Sequence, residues 1–134
     1  MRKLVSTFFS LLFLLSFCVG LVTPEVISAS DNINEALIQK ITRDYTKKFC
    51  NSIAFGISKE SALEFSNNEN NLIFKNRKGI DSLNQEIIAN RIATSVIEKC
   101  GYNIQLNGEE GINQFSSDYI EMNNFLLKDN LFFY

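Results

Sequence analysis

Residues 81–101, DSLNQEIIANRIATSVIEKCG, bring back their apolar side chains at helical intervals. From Leu83 the series Ile87, Ile88, Ile92, Val96, Ile97 and Cys100 follows that spacing, and the densest arc holds Ala89, Ile92, Ala93, Val96 and Cys100. Such a pattern predicts an amphipathic helix. Asp81 is the predicted N-cap, because a short acidic side chain can accept from the first free backbone N–H groups, and Gly101 is the predicted stop. Only a narrow strip around Asn84, Arg91, Ser95 and Glu98 is polar. A helix apolar around most of its circumference is covered on most sides, which makes this the expected central helix of a mainly α fold.

Toward the N-terminus, a second periodic segment occupies about residues 33–55. Ile38, Ile41, Tyr45, Phe49 and Ile53 share one arc, and Lys40, Arg43 and Lys47 share the other, a solvated outer face interrupted by Asp44. Asp31 and Asn32 are its predicted caps, and Gly56 closes it. Ser58 is the expected cap of a short third helix with Ala62, Leu63 and Phe65 as its apolar side. The run Ser66-Asn67-Asn68-Glu69-Asn70-Asn71 should end that helix in a turn, since these side chains compete with their own backbone for hydrogen bonds. Leu72-Ile73-Phe74 adds an apolar patch, and Lys75-Asn76-Arg77-Lys78-Gly79 a basic surface turn without the glycine pattern that cradles a phosphate.

Toward the C-terminus, Tyr102, Ile104 and Leu106 alternate with Asn103, Gln105 and Asn107, and Asn107-Gly108 is a turn signal. This alternation predicts a short strand or hairpin near 102–113. Glu109 and Glu110 then stand as paired carboxylates between two glycines, in an expected flexible loop that lacks the ligand series of a calcium site. Phe115, Tyr119, Met122 and Leu126 fit a last helical stripe after Asp118, and the chain ends on Leu131-Phe132-Phe133-Tyr134, an apolar terminus expected to dock on its own domain.

The first residues carry an address. Met1-Arg2-Lys3 is basic, Leu4 to Val22 is 19 residues without a charge, and Ser28-Ala29-Ser30 supplies small residues for cleavage. The pattern predicts a secretory signal peptide over 1–29 and a single small helical domain over 30–134. The alternative is an uncleaved anchor through residues 4–22, within the ~17–25 residues that span a bilayer. Lipid attachment at Cys18 would require a small residue where Phe17 stands. Either main reading places the domain beyond the membrane, where disulfides persist, so Cys50 and Cys100 are the expected pair, against the alternative of two buried thiols.

Composition narrows the chemistry. The 134 residues contain 13 basic and 15 acidic side chains and no His. Without Arg2, Lys3 and Glu25 the balance is 11 to 14, a net charge of −3 that gives no footprint for general nucleic-acid binding. Lack of His removes the usual general base of Ser and Cys hydrolases and the usual zinc ligand, and no cofactor or metal motif replaces it.

Lys48 to Ala62, KFCNSIAFGISKESA, together with Glu98-Lys99-Cys100-Gly101-Tyr102, resembles small signal-bearing cyanobacterial proteins of unknown function. The resemblance covers about 20 residues of the chain, and richness in Asn, Ile, Lys and Phe accords with a low-GC genome. It implies export to a periplasm or thylakoid lumen and brings no functional residues with it. The functional expectation is an exported, non-catalytic helical module that binds or stabilises a protein partner at or near a membrane. Its alternatives are a carrier of a small apolar ligand or lipid, and an enzyme working with Asp, Glu, Lys, Tyr or Ser alone.

Overall fold

The computed structural model describes residues 29–131, with side chains from Asn34 to Leu126. The signal or anchor reading of residues 1–28 and the docking of the terminal aromatic residues therefore lie outside the described residues. Four helices follow in order: α1 (Ala29–Ala54), α2 (Lys59–Phe74), α3 (Gln85–Cys100) and α4 (Gly108–Leu131). Short 3-10 turns at Ile80–Ser82 and Gly101–Ile104 precede and follow α3, and no strand occurs among the described residues.

Short links pair α1 with α2 and α3 with α4 as two hairpins, which then pack with α1 against α3 and α2 against α4. α3 makes the two most extensive of these contacts, as its nearly all-round apolar pattern requires. The predicted arcs face inward: Ile38, Ile41, Tyr45 and Phe49 from α1, Ala89, Ile92, Ala93 and Val96 from α3, and Phe115 and Tyr119 from α4 are buried. At the centre four rings interlock across the bundle. Phe49 meets Phe115 edge to face at 4.9 Å, Tyr45 meets Tyr119 in the same way at 5.3 Å, and Tyr45 stacks on Phe49 at 6.3 Å. Offset and edge-to-face arrangements of this kind add about 0.5–1.5 kcal/mol per pair beyond burial.

Cys50 and Cys100 lie at disulfide distance, Sγ to Sγ 2.07 Å and Cα to Cα 5.8 Å. The bridge ties the last turn of α1 to the last residue of α3. Beyond it, Gly101 is required for a steric reason. A Cβ at this position would lie 2.5 Å from the Leu106 carbonyl oxygen, in a turn closed by the Leu106 N–H donating to the Gly101 carbonyl.

Several local expectations are corrected. Asn84, not Asp81, caps α3, its Oδ1 accepting from the backbone of Glu86 at 2.8 Å and Ile87 at 3.2 Å, while Asp81 sits in the preceding 3-10 turn. α1 is already helical at Ala29, so Asp31 and Asn32 lie within it and do not cap it. Ser58 does cap α2, accepting from Ser61 N–H, but the polar run 66–71 continues the helix instead of ending it. The expected strand or hairpin near 102–113 is absent: Gly101–Ile104 is a 3-10 turn, and Asn107-Gly108 launches α4. The turn signal itself is real, with left-handed φ at Gln105 (59°) and Gly108 (58°), yet it serves a helix start. Glu109 and Glu110 accordingly stand in the first turn of α4, where negative charge complements the helix dipole, and not in a loop.

Candidate functional site

α2 mixes polar and apolar residues on its inner face and carries apolar ones on its outer face. Facing the bundle it buries Ala62, Leu63 and Phe74, but also Ser66, Asn67 and Asn70, with Asn67 only 2% exposed. Facing away it carries Phe65, 47% exposed, and Leu72, 63% exposed. At 100° per residue Phe65 and Leu72 share one stripe roughly opposite the buried arc. The sequence reading that placed Phe65 on the inner side is therefore overturned.

The buried polar groups of α2 are poorly matched. Asn70 Nδ2 donates to the Ile41 carbonyl of α1 at 3.4 Å, but among the described residues Asn70 Oδ1, Asn67 Nδ2 and Ser66 Oγ have no hydrogen-bond partner. Each buried group left without a partner costs about 1–3 kcal/mol. What fixes the helix is a set of ties at its flanks. Lys59 pairs with Asp118 of α4 at 2.9 Å, and Gln114 donates to the other oxygen of that carboxylate at 2.8 Å. Farther along, Asn71 donates to Asn123 at 3.3 Å. The helix is thus held with its apolar stripe outward.

Other exposed apolar residues mark the disulfide end. Phe55 and Ile57 lie in the α1–α2 link, and Tyr102 in the turn after Cys100; all three are exposed. Between α2 and α4, Leu63, Met122 and Phe125 line an open groove of about 390 Å³ bordered by Lys59 and Asp118.

The residues weighed for chemistry do not converge. Lys75, Arg77 and Lys78 are exposed on their turn, where Gly79 adopts φ 90°. Glu109 and Glu110 are both exposed. Among the described residues no group of three or more carboxylates or cysteines is placed to hold a metal ion. Burial pushes the Tyr119 phenol up to about 12 and the Tyr45 phenol well above its ordinary value, with Tyr119 adding to the latter, so both are neutral core residues. No described helix is long and apolar enough to cross a membrane. No known protein family, curated protein or solved structure matches the chain.

The outward stripe of α2 escaped sequence reasoning because Ser66–Asn71 looks like a helix terminator. The available signal was the i, i+7 spacing of Phe65 and Leu72 across that run.

Proposed function

We propose that this chain is an exported, non-catalytic helical module that binds a protein partner at or near a membrane through the outer face of α2. The observation that carries the reading is the inversion of that helix, which buries Ser66, Asn67 and Asn70 while presenting Phe65 and Leu72 to solvent. Exchanging the two sets would serve the isolated domain better. An outward pair at i, i+7 is the spacing with which a helix enters an apolar groove of another protein. Covering one Phe and one Leu contributes about 1.5–3 kcal/mol each, enough for a transient contact and small beside an obligate interface.

Export is supported by the basic start, the uncharged run Leu4–Val22 and the Ser28-Ala29-Ser30 stretch. A cystine between Cys50 and Cys100 accords with an oxidising compartment such as a periplasm or thylakoid lumen.

The test is affinity capture from the native exported fraction with the natural chain and with the double variant Phe65→Ser, Leu72→Ser. The expected result is a discrete co-purifying protein that the variant loses while its thermal midpoint is unchanged or raised. Equal recovery with both chains contradicts the reading. Self-association abolished by the same variant would make the partner a second copy of the chain.

A further inference from the structure

On the opposite side of the fold, where α1 lies against α3, two rows of polar side chains advance turn by turn. Thr42, Arg43 and Thr46 come from α1, and Arg91, Ser95 and Lys99 from α3; together they line a groove of about 200 Å³. Among the described residues no carboxylate lines it. Arg91 is partly neutralised at the rim by Glu35, 3.1 Å away, but among the described residues no acidic partner takes up Arg43 or Lys99. In a chain with more acidic than basic residues, a groove lined among the described residues by three cations and no anion is a local reversal of sign.

A second, independent feature marks the same wall. Thr46 is only 3% exposed, and its hydroxyl has no hydrogen-bond partner among the described residues; the buried hydroxyl of Thr42, one turn earlier, has none there either. A helical threonine ordinarily settles its hydroxyl on the carbonyl four residues back, as Thr94 does on Asn90 at 2.9 Å. Thr42 and Thr46 forgo that bond beside uncompensated positive charge. Two unpartnered hydroxyls and three cations in the residues lining one groove match a ligand that is anionic and accepts several hydrogen bonds at once.

We propose that the α1–α3 groove binds a phosphate group, with Arg43, Arg91 and Lys99 supplying charge and Thr42, Thr46 and Ser95 supplying hydroxyl donors. The same chemistry recognises free phosphate and the phosphate of an anionic lipid headgroup. The site is independent of the outer face of α2 and stands or falls without it.

The experiment is calorimetric titration of the bridged protein with inorganic phosphate at low ionic strength, alongside co-sedimentation with phosphatidylglycerol-containing and purely phosphatidylcholine vesicles. Saturable phosphate binding without vesicle binding assigns free phosphate. Binding to the anionic vesicles alone assigns the headgroup. Arg43→Gln and Lys99→Gln should each weaken the interaction about tenfold, the effect of losing one charge-assisted contact. Thr46→Val should weaken it while leaving the thermal midpoint unchanged or raised, which separates a binding role from a structural one. Lys75→Gln with Lys78→Gln removes charge elsewhere and should change nothing. No binding to either probe, or equal loss in the Lys75/Lys78 variant, overturns the assignment.

Discussion

Asn70 of α2 gives its side-chain amide to the Ile41 carbonyl of α1, 3.4 Å away in the interior, while its own Oδ1 finds no partner among the described residues. One turn earlier Ser66 and Asn67 are also buried with unpaired polar atoms. The inner face of α2 is therefore less stabilising than an apolar one would be, and replacements there should increase stability. Ser66→Ala removes an unpaired hydroxyl and raises helix propensity, and it should add on the order of 1 kcal/mol. Urea denaturation checks it. A lowered midpoint would mean that Ser66 makes a bond, through water for example, that outweighs the burial cost.

The Cys50–Cys100 bridge closes a loop with a sequence separation of 50. In the chain-entropy account such closure removes roughly 4 kcal/mol of unfolded-state freedom. For a domain of about this size each kcal/mol moves the midpoint by about 4–8 °C. The double variant Cys50→Ser, Cys100→Ser should thus melt on the order of 20 °C lower, with its helical spectrum retained in the cold. A shift of a few degrees, or two free thiols titrated in denaturant from protein isolated without reductant, contradicts the account.

Tyr45 and Tyr119 confer a pH limit at the alkaline end. Burial raises the Tyr119 phenol to about 12 and raises Tyr45 as well, with Tyr119 as the second cause. An unfolded phenol ionises at about 10, so above that pH the unfolded chain releases protons that the folded chain retains. The stabilisation is complete below about pH 10 and is lost as pH rises toward the folded values. Ionisation of Tyr45 and Tyr119 should therefore lag behind that of an unfolded phenol and then appear together with loss of helical ellipticity. Ionisation of Tyr45 and Tyr119 at about pH 10, with the helical signal intact, would place these rings outside the core.

Periodicity made much of this fold legible. The arcs of α1 and α3 emerge from spacing alone, because long runs with an apolar face have one way to bury it, and the two cysteines fall at the ends those arcs define. Local signals did worse where tertiary contacts outweighed them. Asp81 and Asn84 are both competent caps, and the choice between them depends on where the 3-10 turn places the chain. The alternation at Tyr102–Leu106 lacks a partner strand, so its residues curl into a 3-10 turn around the glycine contact at Gly101. The polar run Ser66–Asn71 remains helical because Lys59, Asn70 and Asn71 are tied to α4 and α1 on either side of it. Those ties link residues far apart in the chain, and no local pattern displays them. The same is true of the α1–α3 groove, whose two rows become adjacent only once the hairpins pack.

Site-specific photocross-linking shows whether the outward stripe of α2 meets a partner protein. A photoreactive side chain is placed at Leu72 in one chain and at Glu98, on the exposed polar strip of α3, in another, and both are illuminated in the native exported fraction. The account predicts a discrete protein adduct from position 72 and none from position 98. Absence of any adduct at 72, or the same adduct from both positions, would contradict it.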